Sequence, residues 1–301
     1  MLYDNRHNNV RRTQTTITAD DGRELAATWF EPLARPPVGV VVIAPAMATP
    51  ASYYADFATW LAEHGHRVLT FDLRGTESAA AMRSEHGDVL RWFADMRDAL
   101  DHALESAKGL PTTWVGHSLG GQALAFVDHG RLDRVVTVAA GTGYWRFNTP
   151  GVRWRAPLFW RGIAPVATRV AGYYPGRRLG ILGDLPGEAI RQWGRWCMHR
   201  DYLALDVPDA DDKFAAVTTP MTVLSFTDDE LLSEASIADL HDRFLNADQI
   251  RQRYNPAQLE VLRMGHHGFF RTQHRELWDE LVLPYLPSAP TDEDRGVVPP
   301  K

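Results

Sequence analysis

The stretch WVGHSLGGQAL, Trp114 to Leu124, sets one serine between Gly116 and Gly120, with strand-like residues before it and helix-forming residues after. In a strand-to-helix turn sharp enough to expose a side chain, neighbouring Cβ atoms collide. Glycines two before and two after the serine relieve that crowding. Such a turn stands the Ser118 hydroxyl at the carboxyl end of a sheet, where α/β folds bind ligands. A following helix N-terminus favours the negative charge that develops in acyl transfer. The five-residue pattern alone also occurs as a plain packing turn. The flanking strand and helix patterns are what favour a nucleophile.

A serine hydroxyl needs a base, and the base needs an orienting acid. RMGHHGFF (263–270) follows the last apolar, strand-like run and offers His266 and His267. SFTDDELLS follows MTVL and offers Asp228, Asp229 and Glu230 in a turn. The preceding strand runs into AAGTGYW, which has no acid, so the carboxylate must come from 228–230. The chain order Ser, acid, His is that of the serine template. Two backbone N–H donors are also required for an oxyanion. Leu119 supplies one, and the loop PAMATPASYY supplies the other, with Met47 the candidate and Ala46 the next. No metal is expected, because the carboxylates lack calcium-loop spacing and no paired His or Cys ligands accompany them.

These residues must be positioned by alternating elements. TQTTITA, the turn DDG and RELAATWF predict a hairpin over residues 13–33. VGVVVIA (38–44) is a β-branched run suited to a strand buried on both faces. ADFATWLAEHG predicts a helix ending at Gly65, HRVLTFD a strand, and HGDVLRWFADMRDALDHALES a long helix. TTWVGH, LGGQALAFVDH and RVVTVAA continue as strand, helix and strand; MTVLSF, SIADLHDRF, LEVLRM and RELWDELVLPYL resume the pattern. Strands separated by helices predict a mostly parallel sheet with helices on both faces.

The alternation stops over roughly 141–215, which holds 12 of the 31 aromatic residues. Residues 141–200 carry ten arginines and two acids, so the remainder of this chain of net charge −6 is strongly acidic. The charge split predicts a separate surface-forming module, a helical cap inserted after the sixth strand. The expected organisation is a discontinuous core at 15–144 and 216–286, the insertion at 145–215, and a disordered Pro- and charge-rich tail at 287–301.

The acidic balance argues against a nucleic-acid partner. The single cysteine, Cys197, excludes an internal disulfide and fits a reducing compartment. The first residues lack the apolar segment of a secretory leader, and the longest apolar run is too short to span a bilayer. A soluble, cytoplasmic protein acting on a small molecule is expected.

Residues 15–286 resemble the α/β-hydrolase superfamily. GHSLGGQ is similar to its nucleophile elbow, SFTDDE to its acid turn, and MGHHGFF to its histidine loop. The nearest resemblance is to predicted bacterial serine hydrolases of the serine aminopeptidase-like and monoacylglycerol lipase-like group. In that group pieces like Tyr144-Trp145-Arg146, Pro175–Gly180, Asp184–Pro186 and Trp193…Trp196-Cys197 recur in the insertion. The resemblance implies Ser118 as nucleophile, Asp229 as acid, His266 as base, and no cofactor. Two features depart from the group: Pro45-Ala46 stands where His-Gly is common, and TES follows FDLRG without a further glycine.

The expected activity is cleavage of a carboxylic ester, with thioester or amide as variants, through an acyl-enzyme. Tyr144, Trp145 and Trp193 are candidate walls for a hydrophobic acyl part. The arginines of the insertion either pair with an anionic substrate group or form solvated faces. Acyl transfer would use the same residues, and a non-catalytic binding or scaffold role would use the same fold. Dehalogenase and epoxide-hydrolase chemistry is disfavoured, since it requires aspartate where Ser118 stands.

Overall fold

The computed structural model describes residues 9–288. The leader-free start expected before Asn9 and all but the first two residues of the expected tail lie outside them. The sheet strands are β1 (Val10–Thr18), β2 (Glu24–Pro32), β3 (Gly39–Ala44), β4 (His66–Phe71), β5 (Thr112–His117), β6 (Arg134–Val138), β9 (Met221–Phe226) and β10 (Gln249–Tyr254). Their spatial order is β1-β2-β4-β3-β5-β6-β9-β10. β1 pairs antiparallel with β2 and β2 with β4, while every later pairing is parallel. The front hairpin therefore forms the antiparallel edge.

α1 (Ala55–Glu63), α2 (Ala79–Ser84), α3 (Val89–Ala107), α4 (Leu119–Gln122), α11 (Glu234–His241) and α12 (Arg275–Leu281) connect or flank these strands. β3, β5 and β9 are buried along their whole length. Alternate residues of β3 serve opposite faces, as a pleated strand between two helical layers requires. Val40 and Val42 pack with Trp92, Phe93 and Met96 of α3. Val41 and Ile43 pack with Phe57 and Leu61 of α1 and Trp278 of α12.

Between β6 and β9 the chain forms α5 (Pro150–Arg153), α6 (Ala156–Leu158), a π-turn (Phe159–Ile163), α7 (Ala164–Ala171), the two-residue strands β7 (Tyr174–Pro175) and β8 (Asp184–Leu185), and helices α8 (Gly176–Leu179), α9 (Gly187–Met198) and α10 (Ala210–Ala215). α9 docks on the start of α3. Gln192 Oε1 accepts from the N–H groups of Val89 and Leu90, and its Nε2 donates to Asp88 and Asp206.

Arg74, in the loop after β4, is 6 % exposed and forks onto Asp95 of α3, which is fully buried; its Nη1 also reaches Asp21 at 2.6 Å. Trp92 Nε1 donates to the Arg74 carbonyl. One guanidinium thus stitches the hairpin turn, the β4 loop and the long helix together.

Three expected elements differ. LEVLRM (259–264) is not a strand: it follows a short 3₁₀ turn at Pro256–Leu259, and Leu262 is fully solvent-exposed. The last strand is instead QIRQRY (β10), which pairs with β9 alone. Edge strands tolerate charged residues because only one side is hydrogen-bonded, so β10 carries no apolar run. The helix after Ser118 is also shorter than expected, with four α-helical residues followed by a 3₁₀ turn over Ala123–Phe126. The sixth strand ends at Val138, because Ala139 takes a positive φ of 47°.

Candidate active site

Ser118 sits between β5 and α4 with φ 51° and ψ −106°. A non-glycine residue there stores roughly 1–3 kcal/mol of backbone strain. Its amide is held by the Val138 carbonyl at 3.0 Å. The glycines are needed for space. A Cβ on Gly116 would lie 2.7 Å from the backbone of Gly120 and Gly121, and one on Gly120 would lie 2.2 Å from the Ala44 carbonyl oxygen. The second contact also shows how closely the end of β3 approaches the elbow. Ser118 itself is half-buried.

His266 Nε2 lies 3.0 Å from Ser118 Oγ, and its Nδ1 lies 2.8 Å from Asp229 Oδ2. Both partners of the serine are almost completely buried. The other Asp229 oxygen accepts from the N–H groups of Leu231 and Leu232, which fixes the carboxylate in its turn. The neighbouring acids hold main chain instead. Asp228 accepts from the amides of Met264 and Gly265, and Glu230 from the amide of His266. The acid turn therefore grips the histidine loop at four points.

His267 points elsewhere. Its ring lies edge-on to Tyr53 and His117, and its carbonyl accepts from the Tyr53 hydroxyl. Burial, reinforced by the neighbouring His266, lowers its pKa to about 4.

Behind the serine, His117 is completely buried, and burial holds its imidazole well below the usual histidine range, with His266 and His267 adding to the effect. A neutral ring has one donor and one acceptor, which fixes the tautomer. Nε2–H donates to the His266 carbonyl at 3.1 Å, so Nδ1 accepts from the Tyr54 hydroxyl at 2.8 Å. The Tyr54 oxygen in turn accepts from the Ala46 amide at 2.8 Å. This chain of bonds joins the loop after β3 to the histidine loop.

The Ala46 N–H is thereby occupied. Among the described residues the Met47 and Leu119 backbone N–H groups have no hydrogen-bond partner. They remain available to an oxyanion.

The aromatic residues singled out in the insertion lie off this row. Tyr144 packs edge-on against Phe147 beneath the Arg200 guanidinium. The Trp145 amide donates to the Cys197 carbonyl. Trp193 packs on Trp160 and donates Nε1 to the Tyr202 hydroxyl. Tyr202 continues to Gln122 Oε1, and Gln122 Nε2 reaches the Gly141 carbonyl. Trp193 thus connects to the elbow helix through one tyrosine. Among the described residues none of the three makes a hydrogen bond or ring contact with Ser118, His266 or Asp229.

The insertion also touches both halves of the site. Thr149 bonds to the carbonyls of Glu230 and Leu231, Ser233 Oγ donates to the Phe147 carbonyl, and Asn148 forms a bridge with Leu232. At its far side a Cβ on Gly183 would lie 2.5 Å from Ala48, next to Met47.

Sequence reasoning did not find Tyr54, His117, Gln122 or Tyr202. Only His117 carried a signal, as the residue between Gly116 and the serine.

Sheet order, elbow and layers are those of the α/β-hydrolase fold. A family model described as serine aminopeptidase, S33, matches residues 35–173, a region that includes the elbow and the loop after β3 but ends before Asp229 and His266. Sheet order and structural likeness together give the chain the α/β-hydrolase fold. Among solved structures, a cold-adapted esterase from an Arctic intertidal metagenomic library is 14% identical, with a TM-score of 0.55 over 93% of this chain and 99% of its own. An esterase of Pyrococcus furiosus is 11% identical, with a TM-score of 0.57 over 92% and 91%. A bromoperoxidase from Bacillus anthracis is 17% identical, with a TM-score of 0.56 over 90% and 99%. At such identities the likeness carries the fold alone. Comparison with curated proteins finds no match.

Proposed function

We propose that this protein is a serine hydrolase that cleaves a carboxylic ester through an acyl-enzyme on Ser118. The observation that carries the reading is the row Asp229–His266–Ser118, with bonds of 2.8 and 3.0 Å, at a strained strand–helix turn. In the first half-reaction Ser118 Oγ bonds to the carbonyl carbon while its proton passes to His266 Nε2. The carbonyl electron pair moves onto oxygen, where the Leu119 and Met47 N–H groups receive it. Collapse breaks the bond to the leaving alcohol, and His266 returns the proton to it. Water then repeats the sequence and frees the acid. Asp229, held by two backbone amides, keeps Nδ1 protonated and stabilises the imidazolium.

Residues 145–215 act in this reading as a cap, supported by their contacts with the acid turn and with Ala48. The Trp160–Trp193 pair and the buried Tyr144 support an acyl part that is apolar. The lone, buried thiol of Cys197 supports a cytoplasmic setting. Among the described residues no helix is long and apolar enough to cross a membrane.

The test is labelling with a fluorophosphonate, peptide mapping of the adduct, and turnover of p-nitrophenyl esters of increasing acyl length. An adduct on Ser118 with measurable ester turnover is expected. Labelling of another serine, or no adduct on folded protein, overturns the assignment.

A further inference from the structure

The run α5–α6–π-turn–α7 has an inner and an outer face. Ala156, Phe159, Ala164 and Thr168 are buried against the rest of the molecule. A helix on a protein surface ordinarily turns a polar face outward. Here the outward residues include Trp154 at 75 %, Leu158 at 69 %, Val166 at 63 % and Val170 at 83 % exposure. The polar residues among them are exposed arginines, Arg155, Arg161 and Arg169. Residues 150–183 contain six arginines and no acid. Arg155, Arg161, Arg169 and Arg178 form no ion pair among the described residues. An open apolar groove of about 380 Å³ lies alongside, between this run and α9, lined by Trp160, Ala164, Ile190 and Met198.

A face that is apolar and purely cationic does not suit water. It suits a plane that is apolar beneath and anionic at its surface, where arginines meet phosphate and the apolar side chains enter the acyl boundary. Exposed tryptophan fits the same plane, because its ring is apolar and its N–H is polar. The remainder of the chain carries net −12, opposite in sign to this stretch, so an anionic surface would orient the molecule with this face toward it. The run is suspended between Thr149 on the acid turn and Gly183 on Ala48, which sets it across the sheet edge that carries Ser118.

We propose that the outer face of residues 150–171 docks the protein, peripherally and reversibly, on an anionic phospholipid bilayer. The inference does not depend on Ser118 being catalytic.

The experiment is co-sedimentation of the full chain with vesicles of phosphatidylcholine alone and of phosphatidylcholine and phosphatidylglycerol in equal parts, at low salt. Binding to the anionic vesicles only is expected. Replacing Arg155, Arg161 and Arg169 together by Gln lowers the partition coefficient about a hundredfold, at about fivefold per arginine. Replacing Leu158, Val166 and Val170 by Ser removes insertion, read as loss of the vesicle-induced blue shift that depends on Trp154 (the shift absent in Trp154→Phe). All these positions are exposed, so circular dichroism and melting temperature stay unchanged. Ser118→Ala partitions like wild type, which separates failure of docking from failure of the hydrolase reading. Absence of binding by folded wild-type protein overturns the proposal, as does unaltered binding by the arginine variant. It is equally overturned if sedimentation velocity shows this face buried in a second copy of the chain, with self-association abolished by the same serine replacements.

Discussion

His117 donates its Nε2–H to the backbone carbonyl of His266 at 3.1 Å, so the residue before the serine holds the main chain of the imidazole opposite it. Tyr54, on the other side of the ring, links this pair to Ala46, beside the free Met47 amide. His117→Ala leaves the Tyr54 hydroxyl and the His266 carbonyl without their partner, and each orphaned buried group costs about 1–3 kcal/mol. Kinetics are expected to show kcat falling with KM little changed, because His117 is completely buried and out of reach of a bound molecule. Tyr54→Phe is expected to produce the same pattern more weakly. A change confined to melting temperature would reduce both residues to packing.

Ser118→Ala is expected to lower kcat by about a millionfold while the fold survives. His266→Ala matches it closely, since groups acting as a unit do not add. His267→Ala retains most of the activity, because its ring faces Tyr53 and His117 rather than the serine. Steady-state rates of the three purified variants on one ester check all of this together.

Stability should fall on acidification. Burial lowers His66, His241 and His267 from 6.5 to about 4. Between those values the unfolded chain binds protons that the folded chain refuses, so their contribution is complete above pH 6.5 and is lost as pH falls toward 4. His241 is the cleanest probe, since it makes no hydrogen bond to the row and accepts from Thr137 Oγ1. A plot of melting temperature against pH is expected to slope less steeply in His241→Gln than in wild type over that window.

Arg74→Ala should cost up to about 3–5 kcal/mol, because it leaves buried Asp95 only the longer contact with Arg91 at 3.5 Å. The double replacement Arg74→Met with Asp95→Leu removes the stranded charge and is expected to recover much of the loss. Urea denaturation of the two variants measures both values.

The sheet and the tight turn at Ser118 are legible in the sequence, because each is written in local pattern. GVVVIA (39–44) is buried end to end, and glycines flank Ser118 for steric reasons visible in five residues. Residue types alone left Asp228, Asp229 and Glu230 equivalent. Their division of labour depends on which oxygen meets which amide of a loop more than thirty residues away. β10 was hidden for a different reason: a strand paired on one side does not need an apolar run, while the apolar LEVLRM is a loop. Tyr54 and His117 are 63 residues apart, and no periodicity marks a contact of that kind.

The two attachments of the insertion have a thermodynamic consequence. Thr149 is bonded to the turn that holds Asp229, and Gly183 is packed on the residue after Met47. The insertion is therefore tied both to the turn that carries Asp229 and to the residue beside Met47, and it cannot shift without disturbing at least one of them. Linkage then requires reciprocity. A surface or molecule that changes the affinity of the serine site by holding the insertion in one position is itself held more or less tightly, by the same factor, when that site is occupied.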